Sequence, residues 1–152
     1  MKKKAISLSA SMVLAAIMAV PSFAAVPKDP GLDNVNVKVW KDIEKGEVYK
    51  GMGKHAEECF KEGVGLLPEN GKLAKVYTKK LTVLFITGSV TNLDINGKSS
   101  TSVEDGSDYK IFNYNGVDPY ENANTGKKYF RGNATIHVMT NKNKNVDLEL
   151  LK

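Results

Sequence analysis

The sequence has few of the residues that disulfide-stabilised proteins and enzymes depend on. Its 152 residues include one cysteine, Cys59, and two histidines, His55 and His137. A single cysteine excludes an internal disulfide framework, so core packing must stabilise the fold. Two histidines leave few groups for acid–base catalysis near neutral pH, and no Gly-x-Ser-x-Gly elbow, phosphate-binding glycine loop or His-Glu-x-x-His motif is present. We therefore expect no enzymatic activity and assign no catalytic residue.

A long hydrophobic run is also absent from the sequence. The densest apolar stretch, Met12–Val20, has nine residues, whereas a membrane-spanning helix needs about 20. Three lysines precede this stretch, and Ser22 and Ala24 follow it as small residues at the −3 and −1 positions of a cleavage site. We predict a cleaved signal peptide over residues 1–24 and a mature chain that starts at Ala25. The protein would then be secreted or extracellular, either free or associated with the cell surface.

The positive charge is small once the signal peptide is removed. The full chain has a formal net charge of +5, and residues 1–24 contain three lysines and no acid. The remaining 128 residues carry a net charge of +2, which gives no reason to expect a nucleic acid as partner. A chain of this length is typical of one domain, so we assign residues 25–152 to a single domain without a membrane span.

Strand patterns dominate this domain. Val35, Val37 and Val39 recur at every second position, the period expected of a strand with one buried face. The run Leu81–Thr87 is almost continuously apolar or β-branched, which predicts a central strand covered on both faces. Three further segments are predicted strands: Tyr109–Tyr114, Thr135–Thr140 and Val146–Leu151.

Turn-forming dipeptides separate the predicted strands. They are Asn70-Gly71, Asn96-Gly97, Asp105-Gly106 and Asn115-Gly116. Each dipeptide can adopt the positive φ values that tight hairpin turns need. Short strands separated by turns at this spacing favour an all-β fold, either an antiparallel sandwich or a barrel.

One segment departs from the strand pattern. Ala56, Cys59 and Phe60 lie on one face at helical spacing, and Gly63 can end a helix. We predict a short helix over His55–Glu62. Glycine-containing stretches flank this helix on both sides, which favours a lip on the edge of the sandwich over a core element.

The predicted helix carries the first group of possible ligands. His55 and Cys59 are four residues apart, with Glu58 beside them, so they could contact a common ligand or metal. Two or three ligands at this spacing are a weak signal, and an exposed histidine beside a half-buried cysteine is the more common arrangement. We therefore assign no metal site.

A histidine and a methionine share one face of a predicted strand near the end of the chain. If Ile136 and Val138 face the core, His137 and Met139 face outward. They would then face either solvent or whatever covers that sheet. Periodicity alone does not decide between these two possibilities.

Five local patterns follow one another in an order known from a family of exported proteins. They are a first strand ending in Val37–Trp40, the string Gly51-Met52-Gly53 before a short helix, a hairpin through Glu69–Lys72, the strand pair Leu84–Ile95, and a terminal hairpin Arg131–Leu151 with Asn141–Asn145 at its turn. In this order the chain resembles the NEAT (near-transporter) family, which consists of Ig-like β-sandwich modules of Gram-positive bacteria associated with haem capture. The similarity covers most of residues 25–152. It implies an antiparallel Ig-like β-sandwich with one short lip helix.

The resemblance also implies a haem pocket between the lip and the terminal hairpin. In the family, the first tyrosine of a Tyr-x-x-x-Tyr motif in that hairpin holds the iron. This chain departs from that pattern, because none of its six tyrosines follows Tyr129. The usual tyrosine ligation is therefore excluded.

Other side chains would have to hold the iron if haem is the cofactor. Haem iron accepts imidazole, thioether and phenolate ligands. The lip offers Tyr49, Met52 and His55, and the terminal hairpin offers His137 and Met139. Among these we favour His137, because imidazole binds both oxidation states of iron whereas thioether favours the ferrous state.

Two classes of function remain open. The first is a secreted haem- or haemoprotein-binding module of a bacterial iron-uptake system. The second is a secreted or surface-associated Ig-like interaction module that binds another protein or a polysaccharide without haem. The missing tyrosines favour the second class, whereas the composition of the lip and the face shared by His137 and Met139 favour the first, to which we lean.

Overall fold

The computed structural model describes residues 26–51 and 54–152. The predicted signal peptide (residues 1–24), the predicted mature start at Ala25 and the ligand candidate Met52 lie outside the described residues. The described part of the chain forms twelve strands and one short helix.

The strands are short and follow one another closely. In chain order the elements are β1 (Asp33–Val35), β2 (Val37–Trp40), α1 (Lys54–Cys59), β3 (Val64–Leu66), β4 (Leu73–Lys79), β5 (Leu81–Val83), β6 (Ile86–Ile95), β7 (Lys98–Ser99), β8 (Ser102–Asp105), β9 (Tyr109–Val117), β10 (Tyr120–Glu121), β11 (Lys128–Val138) and β12 (Thr140–Leu150).

Two antiparallel sheets pack against each other as a sandwich. The first sheet has five strands in the order β1-β3-β4-β9-β8. The second has seven strands, with the order β2-β12-β11-β6-β5 and with β10 paired to β11 and β7 paired to β6. The predicted antiparallel β-sandwich with one short helix is confirmed.

The segment with alternating valines crosses from one sheet to the other. Val35 lies in β1, which pairs with β3, whereas Val37 and Val39 lie in β2, which pairs with β12. All three valines are buried, so the crossing at Asn36 keeps them in the same core. The backbone oxygen of Asn36 accepts a hydrogen bond from the N–H of Leu151 at 2.9 Å, which holds the crossing point to the end of β12.

The core between the sheets is apolar and closed. Side chains without exposed surface include Phe60, Leu73, Leu93, Phe112, Phe130 and Leu148. Each contributes about 1.5–3 kcal/mol of hydrophobic stabilisation relative to an exposed position. Cys59 is a free cysteine that belongs to this core, because only 3% of its surface is exposed. Packing therefore stabilises the described fold without a disulfide.

The prediction of a central strand over Leu81–Thr87 is wrong. The chain reverses at Leu84 and Phe85, so that β5 and β6 form a hairpin at the edge of the second sheet, with Val83 paired to Ile86. Leu84 and Phe85 have φ values of 51° and 69°, a backbone conformation that bulky residues rarely adopt. No turn signal marks this reversal in the sequence, because the turn lacks glycine, asparagine and aspartate.

The predicted Asn-Gly turns differ in outcome. Asn96-Gly97 links β6 to β7 in a two-residue hairpin turn, as predicted. The prediction of a turn at Asn115-Gly116 is wrong, because both residues lie within β9. The register against β4 shifts between Asn113 and Val117, so the positive φ of Gly116 serves a bulge instead of a turn.

The helix α1 occupies the predicted region but is shorter than predicted. It begins one residue before His55 and ends at Cys59, and the N–H of Gly63 then bonds to the oxygen of Phe60 at 3.2 Å. It packs against β4 and β5. Gly63 has a φ of 87°, and a Cβ atom at this position would lie 2.3 Å from the backbone oxygen of Val35. Glycine is therefore required where the chain leaves the helix and passes β1.

Membrane-spanning helices are not found in the described part of the chain. Its one helix, α1, has six residues, and no helix there combines the length and the hydropathy that crossing a bilayer requires.

Candidate functional site

A half-open groove of about 350 Å³ lies at one end of the sandwich. It is bordered by α1 and by two hairpins, β5–β6 and β11–β12. Most of its wall is apolar and comes from Ala56, Cys59, Leu81, Ile86, Ile136 and Val138. A groove of this size with a mainly apolar lining is typical of sites for small organic ligands.

The strand pattern explains how the terminal hairpin contributes to the groove. Ile136 and Val138 on β11 and Thr140, Lys142 and Lys144 on β12 all line it, since alternate residues of a strand share one face. On the neighbouring strand, Gly88 also lines the groove, and a Cβ atom there would lie 2.5 Å from Cγ2 of Val138.

Two lysines give the groove a positively charged side. Lys142 is exposed and Lys144 is half-buried, and both belong to the groove lining. Within residues 26–51 and 54–152, neither ammonium group lies in an ion pair. Both charges are therefore available to an anionic group on a ligand.

Cys59 contributes an uncharged thiol to the groove. Burial, followed by the negative charge of Glu58, raises the pKa of this thiol to about 12. The thiolate, not the thiol, is the metal ligand and nucleophile. At neutral pH Cys59 therefore acts as part of the apolar wall.

His55 is the imidazole that the structure places in the groove. It is half-buried on α1, one turn before Cys59, and both side chains line the groove as the i, i+4 spacing predicts. No cluster of three or more histidine, cysteine or carboxylate side chains able to hold a metal ion occurs among the described residues. The groove thus offers one imidazole that can bind a metal, within a mainly apolar surface.

Tyr49 lies outside the groove, in a neighbouring pocket that also includes Lys144. Its hydroxyl donates a hydrogen bond to the backbone oxygen of Asn145. Burial, followed by the negative charge of Asp147, raises the pKa of Tyr49 to about 12. The phenol is therefore protonated and engaged at neutral pH, which disfavours iron binding as phenolate.

His137 and Met139 are also outside the groove. His137 is exposed, whereas its neighbour Ile136 is buried on the opposite face of β11. The imidazole Nδ1 of His137 lies 2.8 Å from Oδ1 of Asn141 across the hairpin. Met139 forms the turn of the hairpin and is 75% exposed. Of the predicted ligands that the structure describes, only His55 reaches the groove.

Lys142 and Lys144 were missed as site residues by sequence reasoning. Their alternation with Asn141, Asn143 and Asn145 indicates that the two lysines share a strand face. It does not indicate which face, because that depends on the single-residue turn at Met139, where Val138 pairs with Thr140. A shift of one residue would have moved both lysines to the outer surface.

Comparison with known proteins gives no assignment for this chain. No family model, no curated protein and no solved structure matches it significantly. The groove and its side chains therefore carry the functional argument.

Proposed function

We propose that this protein is a secreted haem- or haemoprotein-binding module of a bacterial iron-uptake system, a divergent relative of the NEAT family. The observation that carries the proposal is the position of His55 in a mainly apolar groove between the lip helix and the terminal hairpin. This is the place at which the resemblance to the NEAT family implies a haem pocket.

The residues of the groove fit the chemistry of haem. The apolar wall would bury the porphyrin, and the imidazole of His55 would hold the iron. Lys142 and Lys144 would pair with the carboxylates of the haem. Bound in this way, the haem is cargo, and the protein's own residues bind it and shield it from water.

The proposed iron ligand differs from the one that the sequence favoured. The sequence favours His137 for its imidazole, but its side chain lies on the outer face of β11 next to Asn141. His55 offers the same chemistry from inside the groove. We therefore assign the ligand role to His55 and keep His137 as the comparison.

Absorption spectroscopy of the purified protein with added ferric haem tests this proposal. The wild-type protein should shift the Soret band, His55→Ala should lose the shift, and His137→Ala should keep it. Circular dichroism should show the strand spectrum in all three proteins. Loss of the shift in His137→Ala alone would transfer the ligand to the terminal hairpin, and no shift in the wild-type protein would refute haem binding.

A second candidate function is a secreted or surface-associated interaction module that binds another protein or a polysaccharide without haem. It is favoured by a row of polar pairs on the outer face of the terminal hairpin: His137 with Asn141, Thr135 with Asn143 at 3.0 Å, and Asn133 with Asn145 at 3.2 Å. Such amides and hydroxyls suit the hydroxyl groups of sugars. Affinity electrophoresis in polysaccharide gels should show retardation that Asn143→Ala reduces, and haem should have no effect.

A further inference from the structure

Three bulky residues occupy left-handed backbone conformations at the turns beside the groove. Leu84 and Phe85 form the turn between β5 and β6 with φ values of 51° and 69°, and Met139 forms the turn between β11 and β12 with a φ of 67°. In this region the Cβ atom of an L-residue approaches the following carbonyl oxygen too closely. Strain of this kind persists where the surrounding structure fixes it, and it is concentrated at functional sites.

The turn between β6 and β7 provides an internal comparison. Asn96 and Gly97 join these strands in a two-residue turn with φ values of 51° and 79°. The two turns thus share their length and the sign of both φ values, and Asn-Gly is the pair that such turns prefer. At Leu84 and Phe85 the same geometry is built from two large apolar residues, so turn formation does not explain their presence.

The side chains of these turns are freely exposed. Phe85 is 100% exposed, Leu84 is 82% exposed and Met139 is 75% exposed. Ile86 and Val138, which lie next to the turns, are 39% and 46% exposed. Together these five residues form what we call the tip surface.

Both turns lie at the same end of the second sheet. Strands β6 and β11 are neighbours, and Ser89 is paired with His137. The Cα position of Gly88 therefore lies beside Val138, in agreement with the 2.5 Å separation between a Cβ atom at Gly88 and Val138 Cγ2. The tip surface thus lies at one end of the sandwich, and three of its residues, Leu84, Ile86 and Val138, line the mouth of the groove. Exposed apolar regions of this kind mark interaction sites.

The charged side chains on the two hairpins that carry the tip surface are all lysines. The two hairpins, residues 81–93 and 132–146, contain no aspartate or glutamate, whereas Lys142 and Lys144 lie on the second of them. At the base of the first hairpin, Lys79 and Lys80 are held in ion pairs with Glu62 and Asp105. The region therefore complements an anionic partner.

We propose that the tip surface inserts into the interface of an anionic lipid bilayer. A bilayer interface accepts projecting apolar side chains without a preformed pocket, and flanking lysines are attracted to anionic headgroups. Leu84, Phe85 and Met139 supply the apolar contact, and Lys142 and Lys144 supply the charge. This docking brings the mouth of the groove to the membrane surface.

Replacing Leu84 and Phe85 with Asn and Gly, the residues of the turn between β6 and β7, distinguishes an effect on stability from an effect on membrane binding. The double substitution Leu84→Asn, Phe85→Gly introduces the favoured pair for this geometry and removes two apolar side chains. The variant should have a higher melting temperature than the wild-type protein. Its binding to vesicles should fall about tenfold or more, because the inserted apolar area is lost.

Vesicle flotation with the purified protein measures the docking. The wild-type protein should float with vesicles that contain phosphatidylglycerol and much less with pure phosphatidylcholine, and added salt should weaken binding. Val103→Asn removes an exposed apolar residue from the other sheet and should bind like the wild-type protein. If the double variant folds poorly, Met139→Asn tests independently whether the turn between β11 and β12 contributes to vesicle binding.

Other occupants of the tip surface would give different results. Sedimentation velocity should show a monomer at the concentrations used for flotation. A dimer that Leu84→Asn, Phe85→Gly dissociates, together with wild-type protein that fails to float, would overturn the proposal in favour of a second copy of the chain. Equal binding to neutral and anionic vesicles, or full binding by the double variant, would also overturn it.

Discussion

Arg131 and Asp147 face each other across β11 and β12 and form a two-point ion pair. The guanidinium Nε and Nη2 of Arg131 lie 3.1 Å and 3.2 Å from Oδ1 and Oδ2 of Asp147. Oδ2 of Asp147 also accepts a hydrogen bond from the N–H of Ile43 at 2.8 Å. The side chain of Asp147 is 1% exposed, whereas that of Arg131 is 43% exposed. The pair therefore connects the loop after β2 to the terminal hairpin.

Removing the two partners of this pair should have unequal effects. Arg131→Met leaves the carboxylate of Asp147 buried with one hydrogen bond from Ile43, and we expect a loss of about 3 kcal/mol in the free energy of unfolding. Asp147→Asn keeps an oxygen for the N–H of Ile43 and leaves a half-exposed arginine, so its loss should be nearer 1 kcal/mol. Urea denaturation measures both losses, with Lys98→Met at an exposed position as a surface control. Equal losses would contradict this explanation.

Substitution of Gly63 tests whether the close approach of this residue to Val35 in β1 requires glycine. Alanine at this position would combine a positive φ with a Cβ atom 2.3 Å from the oxygen of Val35, and we expect a loss of about 3 kcal/mol or more. Gly46 is the matched control, because it has a φ of 66° but no atom within 4 Å of the added Cβ. Gly46→Ala should cost about 1 kcal/mol. Thermal unfolding monitored by circular dichroism compares the two variants. Similar losses of stability would exclude the close contact with Val35 as the cause.

Part of this fold could be predicted from local sequence, because local geometry determines it. Asn96-Gly97 forms the predicted turn, and Ile136 faces inward while His137 faces outward, as alternation predicts. The reversal at Leu84 could not be predicted, since neither residue of that turn favours positive φ. Pairing with the neighbouring strand determines it, and such pairing is not visible in a short sequence window.

The candidate site, like the fold, could be predicted only in part from the sequence. Helical spacing placed His55 and Cys59 on one face, and both line the groove. The preference for His137 compares its imidazole with the thioether of Met139 on the hairpin that the resemblance implies, and this comparison does not show where either side chain lies. Sequence could not show that the groove lies between α1 and the inner face of the terminal hairpin, whereas His137 is exposed on the outer face of β11.

Acid should weaken the contact between Glu104 and Lys75. Oε2 of Glu104 lies 2.8 Å from Nζ of Lys75, and this hydrogen bond lowers the pKa of the carboxyl below its usual 4.5. A carboxyl whose pKa is lower in the folded state stabilises the fold above the unfolded pKa, and this contribution disappears as the pH falls through the folded pKa. Because the pair is exposed, Glu104→Gln should cost at most about 1 kcal/mol at neutral pH.

Urea midpoints measured across the acid range test this expectation. The difference between the wild-type protein and Glu104→Gln should be present at neutral pH and vanish towards about pH 2, when the carboxyl is protonated. Glu69→Gln, at an exposed position before β4, should follow the wild-type protein throughout. A difference that persists in strong acid would show that the effect of the substitution is not electrostatic.

The lysines of the groove should distinguish anionic ligands from neutral ones. We expect Lys142→Met, Lys144→Met to weaken haem binding about tenfold or more, because two charges that face the ligand are lost. Binding of the dimethyl ester of haem, which lacks both carboxylates, should be nearly unchanged by the same substitutions. Lys38→Met is the control, since Lys38 lies over the ring of Trp40 at 4.1 Å, away from the groove. Fluorescence quenching titrations measure the affinities.

The hydrogen bond between Leu151 and Asn36 lies at the end of the domain opposite the groove. It holds the crossing between β1 and β2 beside the last residues of β12, and Lys152 contacts Asp33 at the same place. Strand β12 then runs for eleven residues to the turn at Met139, roughly 35 Å away at about 3.3 Å per residue. A dye, a surface linker or a fusion partner attached at Lys152 would thus leave the groove mouth unobstructed. Immobilised in this orientation on a sensor chip, every copy would present its groove to the solution.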